Sequence, residues 1–186
     1  MCRVSIIMGT YDEEKTIRRA LDSVITQSYY EWKMLVCNDG SKDETHNILR
    51  EYEKNYPGKI IVFSNEKNRG LTYSLNRLIG EVDTEYIARM DADDICNLDR
   101  LEKQVRFLDN NAEYSFVGTA INKFDDEGVF STVVFPERPT KNDLLWNSPF
   151  VHPSMLIRTD VLKKLQGYRD ISKTVRCEDY DLWLRA

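Results

Sequence analysis

The chain has 186 residues, 41% of them hydrophobic and 31% charged, which predicts one soluble α/β domain with enough length for a proper core. A formal net charge of −5 without a clustered Lys/Arg surface excludes a general nucleic-acid binder. Cys2, Cys37, Cys96 and Cys177 are widely spaced, with no Cys-x-x-Cys pair and no histidine cluster for zinc, so they read as reduced thiols of a cytoplasmic protein.

Strand-like sequence starts at Arg3, leaving no room for a signal peptide, and no apolar run approaches the ~20 residues that span a bilayer. Strands are predicted over 4–8, 33–37, 59–63 and 85–90. Between them Ile17, Leu21, Val24 and Ile25 mark one apolar helix face, Ile48, Leu49, Tyr52 and Tyr56 a second, and Leu71, Leu75 and Leu78 a third. Thr10 with Glu13, and Ser41 with Glu44, have the spacing of capping boxes and predict helix starts there. This alternation predicts βαβ units and a Rossmann-like, mostly parallel sheet flanked by helices. Beyond it, 98–108 reads as a helix and 115–119 and 129–135 as strands, with Pro136 and Pro139 as breaks: a mixed-sheet extension of the same domain, with no Gly/Ser-rich linker. A strand over 155–157 and an amphipathic segment opening at Glu178 complete the pattern.

In such sheets ligands lie beyond the carboxyl ends of the strands. Three strand ends carry polar signatures that should converge on one crevice: Gly9-Thr10-Tyr11-Asp12-Glu13, Asn38-Asp39-Gly40-Ser41 and Asp91-Ala92-Asp93-Asp94. Three acids in four residues repel one another unless a cation sits among them, and hard oxygen ligands suit Mg²⁺ or Mn²⁺. Helix capping or a solvated acidic tip are the alternatives; an EF-hand is excluded because Ile95 and Cys96 stand where a ligand and a glycine are needed. Asp39 either completes a structural turn or accepts hydrogen bonds from a base or ribose. No Gly-x-Gly-x-x-Gly or Walker loop is present. Arg69, beside Gly70 at a helix start, suits an anionic or carbonyl-bearing ligand, a solvated arginine being the default. His152 reads as a packed or capping residue, and no Gly-x-Ser-x-Gly supports a hydrolase. Glu178 and Asp179 favour a helix dipole; beside a distant metal motif, they also supply the carboxylate that deprotonates an attacking hydroxyl.

Together, the motifs Val4-Ser5-Ile6-Ile7-Met8-Gly9-Thr10-Tyr11-Asp12-Glu13-Glu14, Asn38-Asp39-Gly40-Ser41, Asn68-Arg69-Gly70, Asp91-Ala92-Asp93-Asp94, His152-Pro153-Ser154 and Glu178-Asp179-Tyr180-Asp181-Leu182-Trp183-Leu184-Arg185 resemble the family 2 glycosyltransferases of the GT-A fold, particularly bacterial capsule, O-antigen and exopolysaccharide enzymes. The resemblance spans essentially the whole chain in the family's order. It implies one GT-A catalytic domain over 1–186, with a nucleotide-binding half over 1–94 and an acceptor and catalytic-base half over 95–186. It implies a nucleoside-diphosphate sugar donor, most often UDP-linked, a saccharide or lipid-linked acceptor, and Mn²⁺ or Mg²⁺ as cofactor.

On the same ground Thr10, Tyr11 and Glu13 line the nucleoside pocket, Asp39 meets the base and Arg69 assists. Asp91 approaches ribose and donor, Asp93 bridges to the diphosphate through the metal shared with Asp91, and Ala92 and His152 complete the binding set. Asp179 matches the general base and Glu178 its neighbour, with inversion at the anomeric carbon. Two residues depart from the family pattern: Gly9 replaces the usual Pro and is expected to loosen the first loop, and Asp12 replaces the usual Asn. Ala186 falls about two turns after Glu178, so a C-terminal truncation is expected, together with loss of a region that contacts the membrane in many members. A non-catalytic nucleotide-sugar-binding scaffold is the competing expectation. A sugar-nucleotide pyrophosphorylase would need a glycine-rich first loop with a basic residue, and Gly9-Thr10-Tyr11-Asp12 has neither.

Overall fold

Strand β1, Val4–Thr10, is buried at every residue, as expected of a parallel strand with helices on both faces. It is the middle of the parallel part of the sheet. The computed structural model describes residues 2–146, 148–170 and 177–186. After β1 come α1 (Ile17–Ile25), β2 (Trp32–Asn38), α2 (Thr45–Asn55), β3 (Ile60–Ser64), α3 (Leu71–Gly80) and β4 (Tyr86–Arg89). There follow α4 (Arg100–Asn110), β5 (Phe116–Val117), β6 (Ile121–Asp125), β7 (Gly128–Val133), α5 (Lys141–Trp146), a 3₁₀ turn at His152–Ser154, β8 (Leu156–Arg158), α6 (Thr159–Lys164) and α7 (Glu178–Arg185).

The main sheet has the order β3-β2-β1-β4-β8-β5. The first four strands of that order run parallel, while β8 is antiparallel to both β4 and β5. Alternation along β1 divides two cores. Ile6 and Met8 meet Leu21 and Val24 of α1, Leu49 of α2 and Leu101 and Leu108 of α4 on one face. Ile7 joins Leu75 and Leu78 of α3, Leu162 of α6 and Leu182 and Trp183 of α7 on the other. Arg185 fastens α7, donating to the carbonyls of Leu165 (2.7 Å) and Gly167 (2.8 Å).

Three sequence expectations are corrected. Neither capping box forms, because Thr10 ends β1 and the helices start at Ile17 and Thr45. Asp12 adopts φ +55°, a left-handed conformation that Asp tolerates, and turns the chain towards the β2–α2 loop. There Asp12 N donates to Ser41 Oγ (3.1 Å), Glu13 N to Thr45 Oγ1 (2.8 Å) and Glu14 N to Asp43 Oδ2 (3.0 Å); Lys42 N and Glu44 N return bonds to Asp12 Oδ1 (2.7 Å) and Glu14 Oε2 (3.1 Å). Glu13, Ser41 and Glu44, spaced as cap residues, instead take part in joining two loops.

Second, Gly9 does not loosen the first loop. It is paired within the sheet opposite Cys37, and a Cβ on it would stand 2.9 Å from Leu71 Cδ1, so its bare backbone lets α3 lie close. Third, the later strands only partly extend the main sheet: β5 is short, and β6 and β7 form a separate exposed hairpin.

The seam between the parallel and antiparallel parts is braced from α4. Arg100 Nη2 donates to the Arg89 carbonyl (2.8 Å), and Gln104 Nε2 donates to the carbonyls of Ser154 (2.8 Å) and Val117 (3.1 Å). Gln104 is 2% exposed, so water cannot replace it. Gln104→Leu is expected to lower stability by about 2–3 kcal/mol, seen as a lower urea midpoint with an unchanged m-value.

Candidate active site

The carboxyl ends of β2, β1 and β4 lie side by side, since β1 pairs with both neighbours. At the β1 and β2 ends, Thr10, Tyr11, Asp39, Asn68, Gly70 and Leu71 are among the residues around a cavity of about 100 Å³. The buried Thr10 hydroxyl has no hydrogen-bond partner there. Asp39 is 4% exposed and anchors the β3–α3 loop: its carboxylate accepts from Arg69 N (2.9 Å), Gly70 N (2.8 Å) and Asn65 Nδ2 (2.7 Å). Gly40 permits this approach. Its φ is +74°, and a Cβ would fall 2.7 Å from Lys67 backbone. The Arg69 guanidinium lies over the Tyr73 ring, 4.2 Å from its centroid, on the exposed rim. Glu13 stands outside the cavity lining, its carboxylate accepting from Thr16 Oγ1 (2.8 Å).

After β4 the chain turns through the acid cluster. Ala92 is buried, which places Asp91 and Asp93 to either side of a packed residue. Oxygens of Asp91, Asp93 and Asp94 lie within 4.8 Å of one another. Asp94 is pushed up to about 6, first by burial and then by the charges of Asp91 and Asp93. A divalent cation would reverse that repulsion, so this hard-oxygen set fits Mn²⁺ or Mg²⁺. Beneath it the Arg89 guanidinium, 1% exposed, ion-pairs through Nη1 with Asp91 Oδ1. A wider cleft of about 810 Å³ opens beside Asp94, between the 94–99 loop and the β6–β7 hairpin, with Asn97, Lys103, Thr119 and Asn122 among its polar lining.

Glu178 and Asp179 are half-buried in the first turn of α7. Leu182 and Trp183 seat α7 in the same core as Ile87 of β4. Burial raises the pKa of the Tyr168 hydroxyl most; Arg89 lowers it, and Asp179, Glu178 and Asp91 raise it. His152 is buried and lines neither of the two cavities described above. Its Nε2 is 2.6 Å from Tyr168 Oη, and its ring packs edge-on against Tyr168 and Trp183. Reading the sequence for motifs missed Arg89, Arg100, Gln104 and Tyr168. Arg89 did leave a signal, a lone charge in the otherwise apolar run Tyr86-Ile87-Ala88-Arg89-Met90.

A mostly parallel sheet with an acid triad beyond one strand end and helices on both faces is the architecture of the GT-A fold class. The family model described as glycosyl transferase family 2 matches residues 5–166, and the chain belongs to that family. EpsE of Bacillus subtilis (strain 168), provisionally named a glycosyltransferase, is 38% identical over 183 residues, covering 98% of this chain and 66% of EpsE. The O-antigen biosynthesis glycosyltransferase WbnJ of Escherichia coli is 30% identical over 185 residues, 98% of this chain and 70% of WbnJ. Among solved structures, S. aureus TarS 1-349 in complex with UDP-GlcNAc superposes with a TM-score of 0.76 at 22% identity, over 99% of this chain and 53% of that one. Mannosyltransferase PcManGT from Pyrobaculum calidifontis in complex with GDP-Man and Mn²⁺ gives a TM-score of 0.76 at 21% identity, over 98% and 51%. At these identities the structures establish the shared fold. The chain spans about two thirds of the length of EpsE and about half of the two solved chains.

Burial, and secondarily Arg89, hold His152 neutral with a pKa well below 6.5. The unfolded chain takes up this proton around 6.5, so the stability present above that pH is lost progressively as pH falls towards the lower folded value. The His152 share, read as the difference in unfolding free energy between the unsubstituted protein and His152→Gln in urea, should shrink by up to about 1.4 kcal/mol per pH unit below that point, while Asp94, raised to about 6, adds the opposite slope to both proteins.

Proposed function

We propose that this chain carries the donor-binding and catalytic core of an inverting, metal-dependent glycosyltransferase that transfers sugar from a nucleoside-diphosphate sugar, UDP-linked in the leading case. The observation that supports this reading is the Asp91/Asp93/Asp94 cluster beyond β4, whose oxygens lie within 4.8 Å of one another, together with the seating of the Asp179 helix in the same core as β4 through Leu182 and Trp183. TarS was solved with UDP-GlcNAc and PcManGT with GDP-Man and Mn²⁺, which supports a nucleotide-sugar donor here by family likeness.

In this reading the small cavity at Thr10 and Tyr11 takes the nucleoside. The free Thr10 hydroxyl offers it a hydrogen bond, and Asp39 holds the loop bearing Arg69 at its edge. Asp91 and Asp93 would hold Mn²⁺ or Mg²⁺, which supplies positive charge for the departing diphosphate. Asp179 accepts the proton of an acceptor hydroxyl as that oxygen bonds to the anomeric carbon. The bond from that carbon to the diphosphate oxygen breaks on the opposite side, giving inversion. Glu178 adds negative charge beside the base.

The acceptor is a saccharide or lipid-linked saccharide of cell-surface polysaccharide synthesis, and the cleft beside Asp94 has room for it. Among the described residues no helix is long and apolar enough to cross a membrane. A lipid-linked acceptor would bring the chain to the inner face of the plasma membrane from the cytoplasm.

Calorimetric titration of UDP-sugars is expected to show binding that strengthens with Mn²⁺; no metal-dependent binding of any nucleotide sugar would overturn the reading. Asp179→Asn should keep donor affinity and lower transfer by about 10²–10⁴-fold, measured as product formed on a panel of glycan acceptors. Transfer that survives this substitution would place the base elsewhere.

A further inference from the structure

Two arginines are buried at the end of β4, and their situations differ. Arg100 spends its guanidinium on the fold, with Nη2 on the Arg89 carbonyl (2.8 Å) and Nε on Gln104 Oε1 (3.0 Å). Arg89 is more deeply buried, at 1% exposure, yet its Nε has no hydrogen-bond partner among the described residues. Its Nη1 has the ion pair with Asp91 Oδ1. A buried guanidinium left with a spare donor is expensive and calls for a reason outside packing.

Asp91 is one-third exposed, and as a short acid on a loop it would sample several rotamers if nothing held it. A partner on Oδ1 removes that freedom and leaves Oδ2 without the guanidinium. Partners of this kind, one bond behind a metal ligand, orient the ligand and tune its affinity. We infer that Arg89 is the positioning residue of the cation site, holding Asp91 by one oxygen so that the other is presented to the metal together with Asp93. This rests on the function proposed above and adds a residue to it.

The test uses the whole chain with Arg89→Met, which keeps the bulk and removes the charge, and Arg89→Lys, which keeps the charge and removes the fork. Two quantities are read: the melting midpoint in chelator, and UDP affinity as a function of Mn²⁺ by calorimetry. The expected result is a folded Arg89→Met protein whose Mn²⁺ requirement rises about 10–100-fold, with a smaller rise for Arg89→Lys. A purely structural role would lower the midpoint and leave the Mn²⁺ requirement unchanged, which would overturn the inference, as would failure of both variants to fold. No Mn²⁺-dependent UDP binding in the unsubstituted protein overturns the proposed function and this inference with it. Metal-dependent binding of equal strength in all three proteins overturns the role of Arg89 alone.

Discussion

The carbonyls at the seam between β4 and β8 cannot reach water, and the whole carboxyl end of the sheet depends on how they are satisfied. A parallel strand beside an antiparallel one leaves backbone acceptors where the ladder changes. Arg100 and Gln104, four residues apart on one face of α4, supply donors to Arg89, Met155, Ser154 and Val117 from a single helix. This fixes the height at which β4 stops, and therefore the place where the acids begin. It also fixes the His152 turn, because Ser154 is one of the carbonyl partners.

From that brace the site divides by strand. The β1 and β2 ends form a small cavity with one unpartnered hydroxyl, the β4 end gathers negative charge, and α7 brings a second set of carboxylates from the far end of the sequence. Leu182 and Trp183 of α7 share a core with Ile87 of β4. Asp39 belongs to the first part in an indirect way: with its oxygens occupied by Arg69, Gly70 and Asn65, it shapes the pocket wall as much as it faces a ligand.

Continuous burial made the parallel strands legible from sequence, since an apolar run such as Met34-Leu35-Val36-Cys37 needs cover on both faces. The helix starts were not legible. Ser41 and Thr45 hydroxyls accept bonds from a loop some thirty residues upstream, and no local spacing announces a long-range partner. Gly9 was misleading for a related reason: its value lies in the approach of Leu71, a tertiary contact. The acid cluster and the Glu178-Asp179 pair stood out because clustered charge violates the pattern around it. Arg89 violated the pattern equally, but its partner is two residues away and its effect depends on burial that sequence alone does not quantify.

The reciprocal bonds between the β1–α1 and β2–α2 loops have a consequence for how a ligand enters. Neither loop can swing without breaking bonds held by the other, and the β3–α3 loop is tied to the same region through Asp39. The wall of the small cavity at Thr10 therefore behaves as one prefabricated surface, and ordering it on binding would cost little conformational entropy. Adaptation to different ligands must come from elsewhere in the molecule, chiefly the exposed β6–β7 hairpin, which carries no such stitching to the strand ends.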